Sequence, residues 1–166
     1  MFGHFWKSKE KKAEQCVRDL SQMFPNYLDV AKGRSGTDKV PDCVAFHPVI
    51  LGFYYGFAFS VIFTASKKLR FDEETNYRII YQAICNFFNR PNDFQEFGYR
   101  IMRLEDSKDS DFEECVNDGA DFAVKLGMRI LSNDRSADDT QTVVVGTVIR
   151  DTIVKVMEEN NIYPVA

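Results

Sequence analysis

The stretch VAFHPVILGFYYGFAFSVIFTAS, residues 44–66, contains no Asp, Glu, Lys or Arg, and the architecture of the chain follows from it. A helix that is apolar on all sides has no face to give to water, so it either crosses a membrane or lies buried among other helices. Pro48 is tolerated in a first helical turn, where its missing amide hydrogen would have been unpaired. We therefore expect a helix over about 48–66, roughly 27 Å long and barely enough to cross a hydrocarbon core.

The surroundings of this stretch favour burial in a soluble domain over a membrane span. Basic residues occur on both sides of it, at 32–39 and at 67–70, so there is no charge asymmetry to orient a span. A single short span would also leave the amphipathic helices of the remaining chain to form a bundle without it. We therefore predict a buried core helix and no membrane span.

Length and composition predict one globular domain over residues 1–166, with a flexible stretch at residues 1–6. The contents of 45% hydrophobic and 28% charged residues are those of a folded soluble protein, and 166 residues suffice for one core. Residues 1–83 hold 12 basic and 9 acidic side chains, a net charge of +3, and residues 84–166 hold 9 and 16, a net charge of −7. Nucleic acid requires a basic face, so it is not an expected partner.

The four cysteines, at positions 16, 43, 85 and 115, form no CxxC pair. Cys43 and His47 are four residues apart, but two ligands fall short of the four that a structural zinc ion needs. A chain with its own core does not need disulfides, so we expect reduced thiols in a cytoplasmic protein. We expect no secretion signal, because lysines interrupt the apolar residues of the N-terminal sequence MFGHFWKSKEKK.

Apolar residues recur at three- and four-residue steps through most of the remaining chain, which predicts amphipathic helices. The expected helices span about 7–24, 73–88, 92–104, 110–132 and 140–160. Asp72 is expected to cap the second of these. Asn92 with Gln95, and Ser110 with Glu113, have the spacing of capping boxes at the next two helix starts.

Together with the uncharged helix, these segments predict an all-α fold of about six helices in an orthogonal or bundle-like arrangement around the central helix. The segment 140–150 is the exception to a clear helical pattern, because its run TVVVGTVI is β-branched enough for a strand. We prefer a helix there, since no other segment offers a strand partner. Residues 26–42 are expected to form a loop that contains glycines and a proline, with a short helical turn against the core as the alternative for 27–31.

Two rows of small residues predict a close contact between two helices. Within each row the residues lie four positions apart, and the rows are Gly52, Gly56 and Ser60 on the central helix and Gly119, Ala123 and Gly127 on the helix at 110–132. Small residues at this spacing let two helix backbones approach closely. We therefore expect the two rows to face each other.

No residue pattern in the chain predicts an enzyme, a cofactor or a metal ion. His4 and His47 do not follow a glutamate at the spacing that di-metal sites in helical bundles use. The segment 105–121 holds eight carboxylates but lacks the ligand alternation and the glycine of an EF-hand, so we expect a solvated acidic face. A magnesium site formed by carboxylates of different helices stays open. We name no catalytic residue, no metal ligand and no cofactor.

The first candidate function is an interaction or regulatory module that binds another protein or itself. Three large aromatic residues lie close to the N-terminus, Phe2, Phe5 and Trp6. Residues near a terminus are often exposed to solvent, and exposed aromatic residues predict an interface. The acidic face at 105–121 would suit a basic partner. With the lysines at 7–12, the same aromatic residues also fit contact with a membrane surface.

The alternative function is the binding of an apolar small molecule. Tyr55, Phe59 and Phe63 follow each other at four-residue steps along one side of the central helix. Pockets between helices are commonly lined by aromatic side chains. These three residues are therefore the expected lining of a pocket.

Overall fold

A computed structural model describes residues 2–132 and 140–163, and within these ranges the side chains of 2–8, 33–34, 66–67, 128–132 and 140–142 are not described. The described part of the chain forms eight helices: α1 (Phe2–Met23), α2 (Asp29–Ser35), α3 (Asp42–Ala45), α4 (Pro48–Leu69), α5 (Glu73–Phe87), α6 (Phe94–Ser107), α7 (Ser110–Ser132) and α8 (Thr140–Glu159). The all-α class is confirmed, and so is the helix at 140–150. The short helices α2 and α3 account for the two beyond the expected six.

The central helix is α4, as predicted. It contacts α3, α5, α6, α7 and α8, and every residue from position 50 to position 58 is buried. Its window Pro48–Ala65 is long and apolar enough to cross a membrane, with a mean hydropathy of 1.6, and 56% of that window is buried here. A core helix of a soluble protein has the same length and composition, so this property does not separate the two settings. The predicted start at Pro48 is confirmed, and the helix continues to Leu69.

The contact between α4 and α7 brings the two backbones together at glycines. A Cβ atom added at Gly56 would overlap the carbonyl oxygen of Val116 and lie 2.7 Å from its carbonyl carbon. A Cβ atom added at Gly119 would overlap the carbonyl oxygen of Phe53 in the same way. Only a residue without a Cβ atom fits either position.

The glycine contact extends over part of the two predicted rows. A Cβ atom at Gly52 would lie 2.7 Å from the carbonyl oxygen of Phe112, one turn before the Gly56 contact on both helices. The contact positions thus advance in the same direction along α4 and α7, so the two helices run parallel. At Gly127 a Cβ atom would meet nothing within 4 Å. The predicted close approach is confirmed at Gly56 and Gly119 and is wrong at Gly127. Gly52 also meets the backbone of α7, but at Phe112, before the predicted row begins.

Of the three predicted helix caps, the structure confirms the one at α5. The carboxylate of Asp72 accepts the amide hydrogen of Thr75, with an N–O distance of 2.8 Å. The α7 cap is Asp109 instead of Ser110, and its carboxylate accepts the amide hydrogen of Phe112 at 2.9 Å. Ser110 already belongs to the helix, so its capping box with Glu113 does not form.

The predicted cap of α6 is also wrong. The helix begins at Phe94, and the residue before it, Asp93, makes no capping bond with its side chain. The carboxylate of Asp93 instead accepts a hydrogen bond from Nε of Arg90 at 2.5 Å. The carboxylate in the capping position of α6 is thus bonded to Arg90 and does not cap the helix.

Candidate interaction surface on α6

A buried arginine fixes the turn that leads into α6. Arg90 is only 5% exposed, and its Nη1 donates to the carbonyl oxygen of Val40 at 2.9 Å and to the carboxylate of Asp42 at 2.5 Å. Its Nε donates to Asp93, and its guanidinium lies 4.9 Å from the centre of the Phe46 ring. One cation therefore ties the turn before α6 to the segment that precedes α4.

A groove runs between α6 and the corner where α3 meets α4. It consists of two adjoining cavities of about 530 Å³ and about 600 Å³, which share Phe46, Pro48 and Arg100. Arg90 lies in the first cavity and Arg103 in the second. The groove thus combines apolar side chains with guanidinium groups.

The charges along the groove differ in how they are paired. Nε of Arg100 donates to the carboxylate of Glu96 at 2.6 Å, one helical turn away. The guanidinium of Arg103 has no carboxylate within 4.0 Å among the described side chains and lies 5.8 Å from the centre of the Tyr99 ring. Arg103 can therefore pair with an external carboxylate without breaking an ion pair within the described residues.

His47 and Cys43 also line this groove. Nδ1 of His47 is buried and has no hydrogen-bond partner in the described part of the chain. Burial lowers the pKa of His47 below its ordinary value of 6.5, and the carboxylates of Asp111, Glu159 and Asp109 oppose that shift. Burial raises the pKa of the Cys43 thiol. Reactive cysteines have a lowered pKa, and the shift at Cys43 is in the opposite direction.

The outer face of α6 exposes two large side chains. Tyr99 is 50% exposed and Met102 is 52% exposed, whereas Phe97 and Ile101 on the inner face are fully buried. Gln95, Tyr99, Met102 and Asp106 are all exposed and follow each other at steps of four, three and four residues. This spacing places them in one line along the helix, which we call the α6 crest.

Charged residues flank the α6 crest on both sides. At 100° per residue, Glu96, Arg100 and Arg103 lie on the side that faces the groove. Glu105 lies on the other side and lines a second groove of about 430 Å³ with Phe112 and other residues of α7. The crest is therefore a ridge with two apolar side chains at its centre, an amide at one end and a carboxylate at the other, between charged flanks.

The predicted interface at the N-terminus lies outside the described side chains. The backbone of Phe2, Phe5 and Trp6 belongs to α1, which begins five residues before the expected start at residue 7. Nothing in the described part of the chain tests whether these aromatic side chains form an interface. Their role stays a prediction.

The predicted pocket residues form a continuous row of rings. The ring centres of Tyr55 and Phe59 lie 5.9 Å apart, and those of Phe59 and Phe63 lie 4.1 Å apart in a stacked pair. Tyr55 is 3% exposed and also stacks on Tyr81 and Phe112, at 6.4 and 6.0 Å. Burial raises the pKa of the Tyr55 hydroxyl. Phe59 and Phe63 are half-buried, and the use of the row as a pocket lining stays a prediction.

No cluster of three His, Cys, Asp or Glu side chains suited to a metal ion occurs among the described residues. Comparison of the chain with protein-family models, with curated proteins and with solved structures found no match.

The apolar period of the sequence predicted the inner face of α6, but no sequence pattern identified its outer face as a site. A signal was present, because Tyr99 and Met102 are three residues apart and Arg103 follows directly. These residue types are common at protein interfaces. Single exposed apolar residues are ordinary on protein surfaces, however, and only the fold shows that these two lie side by side in water.

Proposed function

We propose that the protein is a non-enzymatic helical interaction module and that it binds protein through the α6 crest and the groove beside it. The observation that carries this proposal is the exposure of Tyr99 and Met102, 50% and 52%, on a helix whose other side is packed into the core. Tyrosine, methionine and arginine are enriched at protein interfaces, and tyrosine and arginine dominate their binding energy.

The position of these residues on a helix supports a docking role. Residues on a packed helix lose little freedom when a partner binds, so less binding energy is spent on ordering them. The Tyr99 ring also lies against the guanidinium of Arg103, which restrains both side chains before a partner arrives. The groove at Phe46 and Pro48 would receive an apolar side chain of the partner.

Photo-crosslinking tests the proposal directly. We expect benzoylphenylalanine at position 99 to give a covalent protein adduct in living cells, because a docked partner covers Tyr99. Tyr163 is the matched control, since it is a tyrosine with 59% exposure outside α6. Adducts are separated on denaturing gels and identified by mass spectrometry. The proposal fails if position 99 gives no protein adduct or gives the same adducts as position 163.

We infer a second candidate function from the row formed by Tyr55, Phe59 and Phe63. The stacked pair Phe59 and Phe63 is half-buried, and the ring of Tyr77 on α5 lies 6.4 and 6.0 Å from the two. A partly exposed row of rings offers an apolar small molecule a flat surface for stacking.

Native mass spectrometry of the purified protein tests this second function. We expect a population heavier than the chain by the mass of one apolar molecule, and we expect Phe63→Ala to reduce that population because it removes half of the stacked pair. Phe71→Ala removes another half-buried aromatic side chain packed against the core and controls for general loss of aromatic surface. A protein that carries no bound molecule after purification under mild conditions contradicts the ligand-binding function.

A further inference from the structure

The charges around the α6 crest indicate what binds to it, and this step rests on the proposed docking function. We propose that the α6 crest pairs with the α6 crest of a second copy of the chain, with the two helices antiparallel around a two-fold axis. An interface of this kind is isologous, so every contact occurs twice.

The spacing of the crest residues determines which side chains meet in such a pair. Steps of four, three and four residues are those of the a and d positions of a coiled coil. In an antiparallel pair, Tyr99 of one copy faces Met102 of the other, and Gln95 faces Asp106. The two central layers bury the exposed apolar side chains, and the two outer layers each join an amide to a carboxylate.

The charged flank on the groove side is self-complementary in this arrangement. Glu96 and Arg103 occupy equivalent flanking positions one heptad apart, so Glu96 of one copy lies beside Arg103 of the other. Arg103 has no carboxylate partner among the described side chains of its own chain. Arg100 donates to Oε1 of Glu96 at 2.6 Å, so Oε2 is the oxygen that would accept from Arg103 of the other copy. The pairing therefore creates two ion pairs across the axis.

A parallel pair of the same helices is disfavoured by charge. Parallel packing places identical crest residues opposite each other, so the two Asp106 carboxylates would meet and Glu96 would lose its contact with Arg103. Like charges placed face to face oppose association. The antiparallel arrangement has no such contact along the crest.

The pair is expected to be weak and reversible. The crest from residue 95 to residue 106 is about 16 Å long at 1.5 Å per residue. One helix pair of this length buries less surface than a standard permanent interface, so a Kd on the order of 10 to 100 μM is expected. Occupation of the crest would then depend on protein concentration.

Sedimentation equilibrium of charge-reversal variants tests the proposal. Wild-type protein is expected to dimerise between about 5 and 500 μM, a range chosen to bracket the expected Kd. Arg103→Glu and Glu96→Arg each place like charges across the axis and should raise the Kd by about tenfold or more. The double variant restores both ion pairs and should return the Kd to within about threefold of wild type.

Lys155→Glu is the matched control, because it reverses a charge that is 76% exposed on α8 and should leave the Kd unchanged. Circular dichroism establishes that each variant is folded. If a reversed variant unfolds, Met102→Gln takes its place, and it should also weaken the dimer because it removes apolar surface from both central layers.

Each possible failure has a distinct meaning. A wild-type monomer over the whole range overturns the second copy as the occupant, but a crosslink from position 99 to a different protein would leave the docking function standing. A dimer that resists both charge reversals but is lost in Trp6→Ala places self-association at the N-terminus and overturns the proposal. A double variant as weak as the single ones overturns the antiparallel pairing.

Discussion

Replacing Gly56 with alanine is expected to destabilise the protein by at least about 3 kcal/mol, the upper end of the usual cost of overpacking. The added Cβ atom would overlap the carbonyl oxygen of Val116 and lie 2.7 Å and 2.8 Å from its carbonyl and α carbons. These atoms belong to the backbone of α7 and cannot move aside as a flexible side chain would. The helices must separate, and the effect is measured by urea unfolding followed by circular dichroism.

Two further glycine variants sharpen this prediction. Gly119→Ala should cause a loss of similar size, since its Cβ atom would overlap the carbonyl oxygen of Phe53 on the opposite helix. Gly127→Ala is the control, because nothing lies within 4 Å of its added Cβ atom. Alanine favours a helix over glycine by up to about 1 kcal/mol, so this variant should be slightly more stable than wild type. Equal unfolding of Gly56→Ala and wild type would contradict the close contact.

The glycine contact shows what a local pattern can predict and where it stops. Rows of small residues at four-residue steps are visible in the sequence, and the close approach of α4 and α7 at Gly56 and Gly119 follows from them. The row on α7 continues to Gly127, but the contact does not. The length of a helix contact depends on how the two axes cross, and no residue spacing within one helix encodes that angle.

The central helix was predictable because the property that identifies it is local. An uncharged segment at 48–66 has to be shielded from water on all sides, in a membrane or in a core, and the amphipathic helices around it favour the core. The short helices α2 and α3 are different, because isolated helices of four to seven residues depend on tertiary contacts for stability. Their sequences contain no long apolar period, so the sequence predicts at most a short helical turn near α2 and no helix at α3.

The turn before α6 could not be predicted for a related reason. Arg90 bonds to Asp42, which is 48 residues away in the chain, and to Asp93, which otherwise has the position of a helix cap. Sequence spacing suggested a capping box at Asn92 instead. A long-range contact therefore positions α6. For this reason the direction of the α6 crest could not be predicted from the residue spacing within the helix.

Replacing Arg90 with methionine is expected to cost about 2 to 3 kcal/mol in the free energy of unfolding, the range for breaking hydrogen bonds to a buried charged group. Methionine keeps most of the apolar stem but leaves the carbonyl oxygen of the fully buried Val40 without its donor. The cost stays below that of a fully buried ion pair because the Asp42 carboxyl side chain is 77% exposed and regains water. Urea unfolding at neutral pH measures the difference.

The pH dependence of the stability of Arg90→Met shows whether the ion pair between Arg90 and Asp42 contributes to the loss of stability. The hydrogen bond from Arg90 holds the pKa of Asp42 below its ordinary value of 3.8. A lowered folded-state pKa stabilises the protein above the unfolded-state pKa, and this contribution is lost as the pH falls from about 5 through the folded-state value. The stability gap between wild type and Arg90→Met should therefore narrow between about pH 5 and pH 3, while the part due to Val40 persists.

Arg78→Met is the matched control for this experiment. Arg78 forms a two-pronged ion pair with Glu10 at 2.6 and 3.0 Å, but its side chain is 35% exposed and that of Glu10 is 49% exposed. Exposed ion pairs contribute at most about 1 kcal/mol, so this loss should be clearly smaller than that of Arg90→Met. Arg90→Lys should fall between the two, because lysine keeps the charge but cannot bond to Val40, Asp42 and Asp93 together. If Arg90→Met and Arg78→Met unfold alike, the turn is held by packing of its apolar neighbours, and α6 owes its position to Phe97 and Ile101 instead of to the buried arginine.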